Sequence, residues 1–416
     1  MTPNPLPRSG AQRAKQALIL SGGGAYGAYE AGIIHALARG QSPATDYRAI
    51  APHILTGTSV GAYSAAYLAS RWQQSFQQAT QELITTWLDV LSRQPGSSNN
   101  GVFRYRFDPS QYLNPREFLG HPVSTLGDAL QDALHVGPML ERTLRVLSRT
   151  HDMSLGTRLA SLFDVSGFIS TQPLAHSIAE TIDFNQVIRA PIQLRIAATQ
   201  WKDDGILYAS KGALDARQGP ELIRASAAIP GVFSPVYFDH EPLVDGGVVL
   251  NIPFGPAIQA GASDLFVVSV PCQMSSIPLA LRSTLGTLIR LQDASWANQL
   301  TVGLTLVSFH NQLLYGHSHQ RSRQAAVEEL FQYFDSDFSA QAPQHPLTVH
   351  LFRPTQGPRE GPLGILDFDR PKIEQLIDLA IRDARHHDCA QQGCILARDP
   401  KTFSAKAVQS GSIILT

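Results

Sequence analysis

The sequence predicts an α/β fold built on a mainly parallel, helix-covered sheet. Short apolar strand candidates alternate with stretches of helical spacing, the pattern of a sheet with helices on its faces. Three of those strands run directly into glycine-framed polar turns: Gly22-Gly23-Gly24, Gly57-Thr58-Ser59-Val60-Gly61 and Asp245-Gly246-Gly247. The chain of 416 residues is 43% hydrophobic, enough to bury a large core.

The first unit opens with the apolar strand Ala17-Leu18-Ile19-Leu20. After the glycine run, Tyr29 to Arg39 has helical spacing with Ile33, Ile34 and Leu37 on one side, and Gly40 stops it. A second strand, His53 to Thr56, leads through the serine turn into an alanine-rich helix over 60–68, whose small side chains allow close approach to a sheet. From 71 to about 160 the texture changes to helical patches separated by Pro, Gly and Ser. Amphipathic candidates lie at 83–91 and 139–147 with a loop at 97–101, and an inserted helical subdomain or lid is expected. Strand alternation resumes at 192–198, 206–208 and 265–270. A helical region follows over 276–334, then a strand at 347–352 and a final amphipathic helix over 373–386. This gives one domain over 15–388, interrupted by 71–160, with a poorly specified tail over 389–416.

The 33 basic and 34 acidic residues leave no bulk field for nucleic acid or an anionic membrane. Three cysteines cannot form a fully paired disulfide framework, which points to a reducing compartment. The first sixteen residues lack the apolar core of a secretory signal, so a cytoplasmic or peripheral membrane location is expected, with signal-independent export as the other route. The uncharged stretch 49–70 contains Pro52, His53, Gly57, Ser59 and Gly61, which suit a strand, turn and helix rather than a membrane span.

The three turns supply the parts of acyl-ester hydrolysis. A nucleophilic serine on a tight strand-to-helix turn needs neighbours without side chains two residues away on either side, and Gly57 and Gly61 meet that need around Ser59. Consecutive glycines let backbone N–H groups converge on a developing oxyanion, making Gly22, Gly23 and Gly24 the candidate donors. Asp245, at a strand end and followed by the permissive Gly246 and Gly247, is the candidate base. The run Gly22 to Gly27 also satisfies the dinucleotide fingerprint, but the acid at the right distance, Asp46, sits in a predicted loop. A Ser-Asp-His hydrolase is the other enzyme reading and would draw its histidine from His310, His317, His319, His345 or His350. None of these sits at a predicted strand end of the required kind, so a Ser59/Asp245 dyad is favoured.

These segments resemble the patatin-like phospholipase family. Ser21 to Tyr29 resembles its glycine-rich opening, Gly57 to Gly61 its elbow and Asp245-Gly246-Gly247 its D-G-[GA] motif, while Ala225 to Phe233 and Asn251-Ile252-Pro253 are similar to further family stretches. The resemblance implies a three-layer α/β/α sandwich and hydrolysis of phospholipid, lysophospholipid or related lipid esters at a membrane or micelle surface, with no metal or cofactor. The family often carries a basic residue where this chain has Tyr26. A lipid-binding or regulatory protein on the same scaffold is the non-enzyme alternative. Two further features are expected to be structural. Arg104-Tyr105-Arg106 is expected to be a solvated loop, and His386-His387 with Cys389 and Cys394, which match no standard zinc spacing, a helix end with solvated imidazoles.

Overall fold

The computed structural model describes residues 15–94, 99–106, parts of 127–141, 168–203, 205–270, 284–315, 345–356 and 362–397. Its centre is an eight-stranded mixed sheet, made of β1 (Gln16–Leu20), β2 (Ile54–Thr58), β5 (Gln193–Gln200), β6 (Ile206–Ser210), β7 (Val236–Phe238), β8 (Glu241–Asp245), β9 (Asp264–Val268) and β10 (Thr348–Phe352). A separate two-stranded pair joins β3 (Arg104–Tyr105) to β4 (Ile169–Ser170). In the main sheet the order is β10-β9-β1-β2-β5-β8-β7, with β6 also on β5. The five strands from β10 to β5 run parallel, and β6, β7 and β8 are antiparallel additions.

The central strands read as continuous apolar runs because helices cover both faces of the sheet. Along β1 the pleat deals side chains alternately to two cores: Leu18 and Leu20 enter one cluster, Ala17 and Ile19 the other. The first face carries α1 (Gly27–Ala38), α2 (Val60–Ser70), α3 (Phe76–Thr86), α4 (Gln172–Thr181), α5 (Phe184–Arg189), α6 (Gly219–Ser226) and α9 (Arg370–Arg385). The second carries α7 (Phe254–Gln259), part of the long α8 (Thr284–Tyr315) and the short α10 (Cys389–Gln392). This is the expected three-layer α/β/α sandwich. Helix α1 is buried along its whole length. Gly32 permits this, since a Cβ there would lie 2.6 Å from the Ala380 Cβ of α9. None of the described helices is long and apolar enough to cross a membrane.

One topological detail positions the site. Strand β5 pairs with β2 over Gln193–Ala197, with β6 over Arg195–Thr199 and with β8 over Ala198–Gln200. A strand has two edges, so β6 takes one and β2 and β8 share the other end to end. Strand β2 finishes with Thr58 against Ala197, and the oppositely directed β8 finishes with Asp245 against Ala198. Their carboxyl ends therefore meet, and a Cβ on Gly246 would lie 2.9 Å from Thr58 Cγ2.

Three expectations are revised. Arg104 is not solvated: it is 3% exposed and donates to both carboxylate oxygens of the buried Asp132 at 3.0 and 2.9 Å. His387 is buried, against the expected solvated imidazole, while His386 is exposed. The start of the tail is ordered onto the sheet edge. Ile395 bridges to Val349 of β10 with N–H···O bonds of 2.9 and 2.7 Å, and residues 398–416 lie outside the described residues. Of the helical insertion, α3 buries Ala79, Leu83 and Ile84, and Trp87 and Leu91 beyond it are also buried in the core. The stretch predicted at 139–147 lies, apart from residue 141, outside the described residues, as do 97–98 of the predicted loop.

Candidate active site

Ser59 sits between β2 and α2 with φ 55° and ψ −123°, a left-handed conformation that a non-glycine residue adopts only under local constraint. The constraint is steric. A Cβ on Gly57 would meet the Gly61 carbonyl oxygen at 2.2 Å, and one on Gly61 would meet the Leu20 oxygen at 2.5 Å, so both flanking positions must be bare. The Ser59 N–H donates to Ser226 Oγ at 2.8 Å, and Ser226 in turn donates to the Ala197 carbonyl at 2.6 Å. Ser226 thereby ties the elbow to β5. Ser59 also stands at the amino end of the eleven-residue α2, where the helix dipole favours negative charge.

Asp245 is fully buried at the end of β8. Its Oδ1 accepts from the Gly247 N–H at 2.7 Å, whereas Oδ2 has no hydrogen-bond partner of normal geometry. Burial pushes its pKa up to about 7, with the Ser59 hydroxyl and the Gly247 N–H pulling it partly back. The Ser59 hydroxyl is thus close enough to the carboxyl to influence its titration. The backbone around Asp245 is fixed by its N–H to the Ala228 carbonyl at 2.9 Å and by Thr199 Oγ1 donating to its carbonyl at 3.0 Å. From α8, Trp296 Nε1 donates to the Gly247 carbonyl at 2.8 Å.

The glycine loop borders Ser59, since a Cβ on Gly22 would come within 3.0 Å of the Ser59 Cβ. The Gly22 N–H is already committed to Asn251 Oδ1 at 2.8 Å, so of the three predicted donors it is not free. The amides of Gly23 and Gly24 donate to no acceptor among the described residues. Gly24 has φ +56°, and a Cβ there would strike the Ile365 carbonyl oxygen at 2.2 Å. Behind the loop, Lys372 Nζ lies 5.1 Å from the centre of the Tyr26 ring, so a cation stands near Tyr26.

Ser59 and Gly24 open onto a narrow cleft of about 40 Å³ walled by apolar side chains, including Trp87, Leu91, Val102, Ile229, Phe233 and Phe368. The described histidines of the alternative triad lie elsewhere. His310 Nε2 contacts the His345 carbonyl at 3.1 Å, and burial lowers its pKa to about 4. His350 is on β10, separated from β2 by β9 and β1. His317 and His319 lie outside the described residues.

Sequence reasoning missed Ser226, Asn251 and Trp296 as site residues. The first two lie in stretches already similar to family segments, and the geometry shows what each does. Ser226 holds the elbow, and Asn251 holds the glycine loop. Trp296 carried no signal, since it lies on a helix remote in sequence.

A family model described as patatin-like phospholipase matches residues 18–258, more than half of the chain. Two proteins described as uncharacterized NTE family proteins, from Mycobacterium bovis and Mycobacterium tuberculosis, are each 23% identical over 154 residues, or 37% of this chain. The matched region spans 41% of the length of those relatives. Among solved structures, VipD from Legionella pneumophila is similar with a TM-score of 0.31 at 15% identity, covering 88% of this chain and 67% of that one. On the family match across residues 18–258, which takes in all three glycine-framed turns, the chain belongs to the patatin-like phospholipase family.

Proposed function

We propose that the protein hydrolyses carboxylic esters of phospholipids, lysophospholipids or related lipids through Ser59 and Asp245. The observation that carries this reading is the buried Asp245 carboxyl, whose Oδ2 has no hydrogen-bond partner and whose pKa the hydroxyl of the strained Ser59, at the mouth of an apolar cleft, helps to lower. Asp245 accepts the Ser59 proton as Oγ attacks the ester carbonyl. The oxyanion is stabilised by the Gly23 and Gly24 amides and the amino end of α2. The alcohol portion then leaves with a proton from Asp245, and water activated by the same carboxylate cleaves the acyl-serine.

Asp245 suits this role better than an exposed aspartate because a pKa near 7 matches a base working near neutrality. The apolar lining of the cleft suits an acyl chain once the narrow cleft widens to admit it, and we assign chain selection to the wall contributed by Trp87, Leu91 and Val102, which fall in the insertion expected at 71–160. The lipid is taken from a membrane or micelle surface by peripheral contact. The test is purified protein with a fluorophosphonate probe and a panel of phospholipids, lysophospholipids, glycerides and short nitrophenyl esters. Labelling that disappears in Ser59→Ala, together with ester cleavage, is the expected result. Folded protein that neither labels nor cleaves would overturn this reading in favour of a lipid-binding module or an autoinhibited state.

A further inference from the structure

At the far edge of the sheet from Ser59, four side chains converge that the hydrolytic reading does not use. Cys389 Sγ lies 3.5 Å from His387 Nε2 and 3.8 Å from His350 Nδ1, and Cys394 Sγ lies 3.3 Å from the same His387 nitrogen. The donor atoms of His350, Cys389 and Cys394 all fall within 4.8 Å of one another, whereas His387 reaches both sulfurs but stands farther than that from His350. Both cysteines are free thiols. We infer that His350, Cys389 and Cys394 hold a structural zinc ion, with the neighbouring His387 turning in as fourth ligand, at a site independent of the ester-hydrolysing centre that fastens the carboxyl-terminal segment to β10.

The distances carry the inference. A tetrahedral zinc ion with bonds of about 2.3 Å to sulfur and 2.0–2.1 Å to nitrogen holds its S···N pairs roughly 3.5 Å apart. The three measured S···N separations, 3.3 to 3.8 Å, bracket that edge. Two thiolates and two neutral imidazoles also make a donor set that zinc prefers to hard cations.

The surroundings fit a closed site. His350 turns its other nitrogen, Nε2, toward Asp264 Oδ1 at 3.6 Å, the carboxylate placement that orients metal-bound imidazoles. Phe266 stacks on the His350 ring at 5.2 Å and Phe352 packs on His387 at 4.4 Å, which fixes both rings. Gly393 at φ 78° turns the chain, with the Cys394 N–H bonding back to the Cys389 carbonyl at 2.9 Å, so that the second sulfur returns toward the first. His387 and Cys394 are buried, and four protein donors leave no position for substrate. Binding would release the two thiol protons to solvent.

The test is metal analysis of the full chain purified under reducing conditions, with a cobalt(II) titration of metal-stripped protein. One zinc per chain and a tetrahedral cobalt spectrum with thiolate charge-transfer bands are expected. Cys389→Ser and His350→Asn should lose most bound zinc. Asp264→Asn should weaken zinc binding by roughly 10–100-fold while ester hydrolysis persists. The proposal is overturned if the wild type binds neither metal while both thiols titrate as free. It is overturned equally if Cys389 and Cys394 prove to be a disulfide in reduced protein, or if zinc survives both ligand substitutions. The wild-type cobalt spectrum decides the matter even where a variant fails to fold.

Discussion

Replacing Asp245 with Asn should make the protein inactive and more stable, by an amount that depends on pH. Burial raises the carboxyl from its ordinary 3.8 to about 7. The folded state therefore holds a proton that the unfolded chain releases anywhere between those values, and stability falls as pH rises through that window. At about 1.4 kcal/mol per pH unit, the ionised carboxylate weakens the fold by about 4 kcal/mol once pH exceeds its folded pKa. Asn keeps an oxygen for the Gly247 N–H and carries no charge, so it escapes this loss. Urea unfolding of both proteins at matched pH should show a near-zero difference at about pH 4, growing to about 4 kcal/mol in favour of Asn by about pH 8. In the wild type, kcat/KM for a soluble ester should rise through about pH 7 to a plateau, because the base must be ionised. A stability difference that stays flat with pH, or an Asn variant less stable than wild type at pH 8, would refute the buried high-pKa carboxylate.

Further substitutions test other parts of the site. Ser59→Ala should abolish fluorophosphonate labelling and lower ester turnover by at least about a thousandfold, with an unchanged circular dichroism spectrum. Gly24→Ala places a methyl against the Ile365 carbonyl at a positive φ, so it should lower thermal stability by more than about 1 kcal/mol and reduce kcat more than it raises KM. Asn251→Ala strips the buried Gly22 N–H of its acceptor and should destabilise the fold by about 1–3 kcal/mol, seen in chemical denaturation, together with a loss of kcat. Arg104→Ala removes the bidentate partner of the buried Asp132, leaving Arg106 Nε at 3.9 Å, and should cost about 1–3 kcal/mol in the same assay.

The sheet and its helices were legible because apolar runs and caps act locally. Strands β1, β2, β5, β9 and β10 appear within a few residues of their predicted bounds, and Gly40, at φ +64°, follows α1 as expected. The hairpin of β7 and β8 was only half visible. Its turn uses Asp239 and His240 at positive φ instead of glycine, so the usual turn signal is missing. Ser59 and Asp245 were recognisable by type and setting, but their supports were not. The bonds from Ser226, Asn251 and Trp296 join segments distant in sequence, and no local pattern encodes them. The same holds for His350, which meets the two cysteines only when β10 is paired, so spacing rules applied to 386–394 alone find no zinc motif.

The end-to-end sharing of one β5 edge by β2 and β8 makes the proposed chemistry a late event in the life of the chain. The serine half is encoded early, next to β1 and β2, but the proposed proton acceptor is brought to it only by the pairing of β8 with the remainder of the β5 edge. A register slip of one residue in β8 would turn Asp245 to the opposite face. A nascent or truncated polypeptide ending before β8 would thus present an elbow without a base, which delays any esterase activity until the sheet is built.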